Sequence, residues 1–437
     1  MDNATATEQG TSVGISVNIP LTSKPRIVIV GGGFAGIELA RGLRHLDAHI
    51  ILVDKNNYHT FQPLLYQVAT AALEAESIAY PFREIFRGQH NFIFRMAEVQ
   101  QIIPEHNKLK TSIGEIDYDY LVLANGSSTN YFGMKDIQDN AMPMKSISEA
   151  MGIRNLVLEN MEKALLVKDI DEREGLMNVV IIGGGPTGVE MAGAIGELKL
   201  HVLPRDYPEL DVKRMQIHIV DLQERLLNNM SMEASASAAK CLKKYQVNLW
   251  LKTKVVSYDG RAIALSNGKK ILSDMVIWAA GVAGSVLPGL PPELAVGSRF
   301  KVDAYNRLGG YNNIFALGDV AAMVTDKTPK GHPMLAPVAI QQAKVLGKNF
   351  QRLLKNQPMQ PFTYKDPGVM ATIGRNRAVV DFNWIKFNGV LAWLAWLFVH
   401  LMALVGFRNK LVVFINWAWN YFSYDRGLRL IIKPPKK

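Results

Sequence analysis

Two stretches of this chain have the same shape: GGGFAGIE at residues 31–38 and GGGPTGVE at residues 183–190. Each follows a short apolar run, RIVIV or NVVII, and leads into helix-forming sequence. Glycines at 31, 33 and 36, and again at 183, 185 and 188, constrain the fold strongly. The first allows a tight turn after a buried strand, the second lets backbone approach a pyrophosphate, and the third lets helix and strand pack closely. The helix that follows points free N–H groups and a positive dipole end at the phosphates. Each copy is also followed by a strand ending in an acid, HIILVD at Asp54 and MQIHIVD at Asp221, placed to meet a ribose hydroxyl. The second acid lies about fifteen residues further from its fingerprint than the first, and LHVLPRDYPELDV at 200–212 is expected to absorb the excess as a loop. One glycine motif is weak evidence, but two copies with strands, helices and acids in order imply an α/β chain with two Rossmann-like dinucleotide-binding domains. Two dinucleotides in one chain suggest that one gives electrons to the other, and nicotinamide and flavin are the natural pair.

At 437 residues the chain has room for two or three domains. Its single cysteine, Cys241, excludes any mechanism that needs a redox-active cysteine pair. Histidines show no metal-ligand spacing, so no metal is expected. The first residues, MDNATATEQGTSVGISVNIP, have neither the pattern of a signal peptide nor the arginines of a transit sequence, and read as a polar lead-in. A net charge of +10 raises the question of nucleic acid. From Trp384 onward, however, eight Lys or Arg face Asp425 alone, and five of the seven tryptophans lie there too. A basic, tryptophan-rich tail points to an anionic membrane surface and not to nucleic acid.

Further stretches carry a family likeness. YDYLVLANGSSTNYFG at 118–133, DMVIWAAGV at 274–282, NIFALGDVA at 313–321 and LAPVAIQQAKVLGKNF at 335–350 resemble type II NADH dehydrogenases, the single-subunit NADH:quinone oxidoreductases of the pyridine nucleotide-disulfide oxidoreductase superfamily. The likeness runs from about residue 24 to the end. It implies that the first fingerprint binds FAD, non-covalently, and the second NADH, with the NADH domain inserted in the FAD domain. The expected division is a lead-in at 1–23, FAD domain at 24–142 and 284–382, NADH domain at 143–283 and membrane-association segment at 383–437.

The resemblance places FAD on Gly31, Gly33, Phe34, Ala35, Gly36, Asp54 and Lys55, with Gln62, Val99, Ala124 and Gly126 alongside, and on Gly318 and Asp319 where the chain returns. It places NADH on Gly183, Gly185, Pro186, Thr187, Gly188 and Asp221, with Ala280 and Gly281 near the nicotinamide half. A carboxylate at Asp221 accepts from a free 2′-OH and repels a 2′-phosphate, favouring NADH, although Arg225 stands close by. Pro337 suits the first turn of a helix whose N-terminus would face the flavin, with Ala339 and Ile340 supplying backbone contacts.

Three residues are candidates for chemistry. Glu190 reads, from spacing alone, as an acid complementing the helix dipole, as Glu38 would in the first copy. The resemblance instead puts it between nicotinamide, flavin and quinone, as a proton-delivering group. The family's quinone pattern Ala-Gln-x-Ala-x-Gln is met by Ala336, Ala339 and Gln341, but Pro337 replaces the first glutamine and offers no side-chain hydrogen bond. Gln341 is then either a quinone contact or part of a polar helix face. Lys386 resembles a lysine at the quinone entrance and is equally placed to touch lipid phosphates.

VLAWLAWLFVHLMALV at 390–405 would reach about 24 Å as a helix, short of the roughly 30 Å hydrocarbon core. LVVFINWAWNYF at 411–422 is shorter, and GFRNK between them is basic. Helices lying in the interface fit this pattern best; a transmembrane hairpin and a dimer-forming helix pair are the alternatives. The resemblance implies a peripheral homodimer on the cytoplasmic face of a bacterial inner membrane, reducing menaquinone or ubiquinone without pumping protons. Rival readings are a soluble reductase of a small redox protein and a nucleotide-sensing flavoprotein; the lone cysteine counts against disulfide and sulfide:quinone reductases.

Overall fold

A computed structural model describes residues 17–432 except 21, 327, 424–426 and 428. Most of the polar lead-in, together with Asp425, Arg426, Lys433, Lys436 and Lys437 of the basic tail, lies outside the described residues. The chain divides into two units: residues up to 57 with 86–126 and 284–362, and residues 58–85 with 127–283 and 363 onward.

In the first unit the apolar run Arg26–Val30 is the central strand of a five-stranded parallel sheet. It pairs with His49–Asp54 on one side and Tyr120–Leu123 on the other; Phe92–Met96 and Ile314–Ala316 close the two edges. Ile27, Val28 and Ile29 are fully buried, as a strand covered on both faces must be. Two helices cover one face, the fingerprint helix Phe34–Gly42 and the return helix Ala336–Leu353, which pack against each other.

The second unit repeats the plan. Val179–Ile182 is central between Ile217–Val220 and Val276–Trp278, with Val247–Trp250 and Met142–Pro143 outside, all parallel. The second fingerprint helix is Pro186–Glu197. The segment expected as a loop at 200–212 is mostly helical: a π-helical turn, Leu198–Val202, extends the fingerprint helix into Leu203–Asp206. Pro204 does not break it, because it stands at the start of the next helical segment, where its missing N–H has no partner to lose.

This unit also holds a three-stranded antiparallel sheet, Val369–Gly374, Arg377–Asp381 and Lys386–Gly389. It sits hard on the second fingerprint helix at Gly193, where a Cβ would lie 2.4 Å from the Ile373 carbonyl oxygen. Two tail helices follow, Val390–Ala403 and Phe407–Ser423. The basic connector expected at 406–410 is largely helical, because Gly406, at φ +83°, turns the chain sharply enough for the second helix to start at once. No described helix is long and apolar enough to cross a membrane.

The tail helices turn polar groups inward and apolar groups outward. Asn409 donates to the Ala79 carbonyl (2.9 Å), Asn416 to the Glu74 carboxylate (2.6 Å), Trp417 to Gln67 Oε1 (2.7 Å) and Asn420 to the Ala72 carbonyl (2.9 Å). Leu391, Leu394, Phe398 and Met402 on one helix, and Phe407, Leu411, Phe414, Ile415, Trp419 and Phe422 on the other, are exposed at helical spacing.

Candidate functional site

The two fingerprints agree atom by atom. Gly31 N–H donates to the Val53 carbonyl (2.8 Å) and Gly183 N–H to the Val220 carbonyl (2.9 Å). A Cβ on Gly36 would meet the Gly31 carbonyl oxygen at 1.9 Å, and one on Gly188 would meet that of Gly183 at the same distance. Gly33 and Gly185, by contrast, face open space at the helix N-termini. An open glycine at a helix start is what a pyrophosphate needs for close backbone approach, so both cradles fit a dinucleotide.

Asp54 and Asp221 end equivalent strands. Asp54 accepts Gly32 N–H (2.7 Å) and Asn56 N–H (2.7 Å); Asp221 accepts Gly184 N–H and Gln223 N–H (2.8 Å). Each carboxylate thus braces its glycine loop and keeps acceptor capacity beyond these two bonds. Burial pushes the Asp54 carboxyl up, against the lowering by its two backbone N–H bonds. Arg225 is committed elsewhere: it donates to the Met230 (2.8 Å) and Asn228 (2.6 Å) carbonyls, clamping its own loop. Pro186 and Thr187 are exposed at the helix start, and Ala280 and Gly281 follow the strand Val276–Trp278.

All the residues assigned to FAD lie in the first unit except Gln62, which lies in the second and accepts a long hydrogen bond from Lys145 (3.4 Å). Phe34 and Ala35 begin the fingerprint helix, Lys55 is exposed beside Asp54, Val99 opens a strand, and Ala124 and Gly126 follow Tyr120–Leu123. Gly318, at φ +67°, and Asp319 form a 3₁₀ turn against which the return helix docks: a Cβ on Gly318 would lie 3.1 Å from that of Ala339. Pro337 stands in the first turn of that helix, with Ile340 and Gln341 half-buried. Buried Gln342, next along the helix, accepts Gly318 N–H (2.7 Å).

Glu190 is the fifth residue of its helix, beyond the first turn, so dipole complementarity does not account for it. The two copies separate here. Glu38 makes a surface ion pair with Lys344 (3.8 Å), whereas Glu190 has no cation partner among the described residues. Its carboxyl lies in the wall of a half-enclosed cavity whose empty space, counting the mouth, is about 750 Å³. Burial drives its pKa up to about 8, countered weakly by the Thr372 backbone N–H (3.4 Å) and the nearby Trp396 indole. A carboxylic acid so placed carries a proton at neutral pH and can hand it to an acceptor in the cavity.

The cavity is built from the helix Leu65–Ala69, the second fingerprint helix, the Val369–Gly374 strand and both tail helices. Gln67, Thr372, Arg375, Trp393, Trp396 and Trp417 line it, and sequence reading named none of them as site residues. The signal lay in the tail's tryptophan content, but which ring turns inward is a matter of packing. Lys386, exposed at the start of its strand, is not among the lining residues.

Paired cradles on successive parallel sheets define a two-dinucleotide oxidoreductase. Residues 25–343 match the family model for pyridine nucleotide-disulphide oxidoreductases, and residues 367–423 match the NDH2 C-terminal domain. The chain is 34% identical to the type II NADH:quinone oxidoreductase Ndh of Mycobacterium tuberculosis over 421 residues, covering 92% of this chain and 89% of the relative. It is 29% identical to the Haemophilus influenzae type II NADH:quinone oxidoreductase, over 81% of this chain and 86% of that one. The solved structure of NDH2 from Plasmodium falciparum in complex with NADH has the same fold, with a TM-score of 0.86 at 22% identity over 94% of this chain and all of that one. The chain belongs to the type II NADH:quinone oxidoreductases within the pyridine nucleotide-disulphide oxidoreductase family.

Proposed function

We propose that the cavity beside Glu190 receives the head group of a quinone and that Glu190 holds the proton that quinone reduction requires. The family membership makes the chain an FAD-dependent enzyme that oxidises NADH and reduces a quinone. FAD, when bound, supplies the two-electron chemistry between a nicotinamide and a quinone. The first-unit residues from Gly31 to Gly36, with Asp54, Gly126, Gly318 and Asp319, are proposed to hold FAD. The second-unit residues Gly183 to Gly188 with Asp221 are proposed to hold NADH, and the engagement of Arg225 with its own loop supports NADH over a 2′-phosphorylated coenzyme. The carrying observation is a carboxyl without a cation partner, kept protonated by burial, in the wall of a cavity roofed by aromatic side chains.

The outward apolar stripes of the tail helices support a second part of the reading, that this face lies in the interfacial layer of a membrane with the cavity mouth close to the lipid. At 14 and 17 residues the helices are about 21 and 25 Å long, and polar residues anchor their inner sides, as interfacial helices need. Lys386, beside exposed Trp384 and Ile385, is placed to meet lipid phosphates or an entering quinone, and Gln341 remains a proposed quinone contact. The test is NADH oxidation by the purified, FAD-loaded protein with and without a soluble menaquinone or ubiquinone analogue. Sustained turnover that needs quinone and drops at least tenfold in Glu190→Gln is expected; quinone turnover unchanged in that variant would remove Glu190 and its cavity from the reaction.

A further inference from the structure

We infer that the indole N–H of Trp396 is a built-in hydrogen-bond donor of this cavity, placed to hold the Glu190 carboxylate once that residue has released its proton. The inference rests on the reading of the cavity as the quinone site. Trp396 is the largest fully buried side chain among the described residues, 1% exposed, and it lines the cavity together with Glu190. Its indole N–H makes no hydrogen bond of normal geometry to any described residue. An indole only donates, and a buried donor left without an acceptor costs about 1–3 kcal/mol. Other tryptophans of this unit avoid that cost: Trp417 donates to Gln67 (2.7 Å), Trp278 to the Asn130 carbonyl (2.8 Å) and Trp250 to His218 Nδ1 (3.0 Å).

Trp396 cannot turn to find a partner. Its ring is stacked on His400 (4.0 Å between centroids, 21° between planes), meets Tyr66 edge-on at 6.4 Å and lies against Trp417 at 5.9 Å. His400 is itself fixed by a hydrogen bond between Nδ1 and the Trp396 carbonyl (2.8 Å). The acceptor must therefore come to the indole. While Glu190 is protonated it is a poor acceptor; once ionised it makes a charge-assisted bond. The interaction strengthens only as the proton leaves, which is when it lowers a barrier.

The step balances within the family reaction, NADH + H⁺ + quinone giving NAD⁺ and quinol. NADH supplies both electrons and the equivalent of one proton; the other, the H⁺ of the equation, comes from the solvent through Glu190. The Glu190 O–H bond breaks as a quinone O–H bond forms, and the carboxylate left behind is held by the Trp396 and Thr372 N–H groups until water reprotonates it. Trp396 acts through Glu190 and is a positioning residue.

Trp396→Phe in the full FAD-loaded chain keeps an aromatic ring against His400 and removes the N–H. With FAD content and melting behaviour matching the unaltered protein, quinone-dependent turnover is expected to fall about tenfold at pH 7. Its alkaline limb is expected to move to higher pH, because the carboxylate has lost a stabilising donor and the acid holds its proton more tightly. Rates and a pH profile that superimpose on those of the unaltered protein would overturn the inference. Should the variant fail to fold, the unaltered protein offers a second measurement. The N–H vibration of an isotope-labelled indole at position 396 alone should shift toward strong hydrogen bonding as Glu190 ionises, and no shift overturns the inference. That measurement needs no quinone, so it separates failure of the donor role from failure of the quinone reading, which would appear as no quinone turnover by the unaltered enzyme.

Discussion

Glu190 and Glu38 occupy matching places in matching motifs, and their surroundings give them opposite chemistry. Glu38 meets a lysine at the surface; Glu190 meets a cavity wall and, among the described residues, no cation partner. A carboxyl near pKa 8 is protonated through the physiological range, so quinone reduction should proceed below about pH 8 and decline above it. Glu190→Gln should abolish that alkaline decline and slow the quinone step by about 10² or more, read by quinone-dependent NADH oxidation from pH 6 to 10. The same residue affects stability with a definite sign. Its proton is held more tightly folded than unfolded, so stability falls as pH rises from the ordinary carboxyl range through about 8. His400 works in the opposite sense on the acid side. Burial lowers its pKa to about 4, so the folded state resists the proton that the unfolded chain accepts below about 6.5. Stability should therefore drop as pH falls from 6.5 toward 4, and His400→Phe should reduce that drop in thermal melts.

The second fingerprint helix joins the two halves of the second unit's chemistry. Its N-terminus offers a phosphate cradle, its second turn presents Glu190, and its third turn carries Gly193, on which the Val369–Gly374 strand rests. Gly193→Ala would drive a Cβ to 2.4 Å from the Ile373 carbonyl oxygen and push away the strand that holds Thr372. A loss of about 1–3 kcal/mol is expected, together with slower quinone turnover, while Gly42→Ala, whose added Cβ meets nothing within 4 Å, should leave both unchanged. The tail helices show how element-level pattern and composition part company. The run LVVFINWAWNYF and the basic connector before it carry asparagines in sequence, and in the fold Asn409, Asn416 and Asn420 face inward onto backbone and carboxylate acceptors of residues 72–79. Apolar residues are thereby left outside. Phe398→Asn with Phe414→Asn should release the protein from anionic vesicles in co-sedimentation without lowering its FAD content; undiminished binding would remove the stripes from the membrane contact.

At the scale of the whole molecule, one folding plan is used twice with different cargo. Gly36→Ala and Gly188→Ala introduce the same clash, at 1.9 Å from a carbonyl oxygen, in the two cradles. The first should yield protein that purifies with little flavin absorbance. The second should retain flavin but lose its bleaching by NADH, and a loss of flavin in both would contradict the assignment of one dinucleotide to each cradle. The paired sheets were legible in the sequence because each signal is local: a buried β-branched run, three glycines at fixed spacing and an acid at the next strand's end all act within about forty residues. The same holds for the exclusion of cysteine-pair chemistry, which a single Cys241 decides by itself. What only the tertiary structure decided is long-range. Trp396 and Thr372 reach Glu190 from about 180 to 200 residues away, Gln342 ties the return helix to Gly318, and the tail presents its apolar side outward. Each depends on which face of an element turns toward a partner distant in sequence, and a side chain's burial, partner and protonation are properties of that packing, not of its neighbours along the chain.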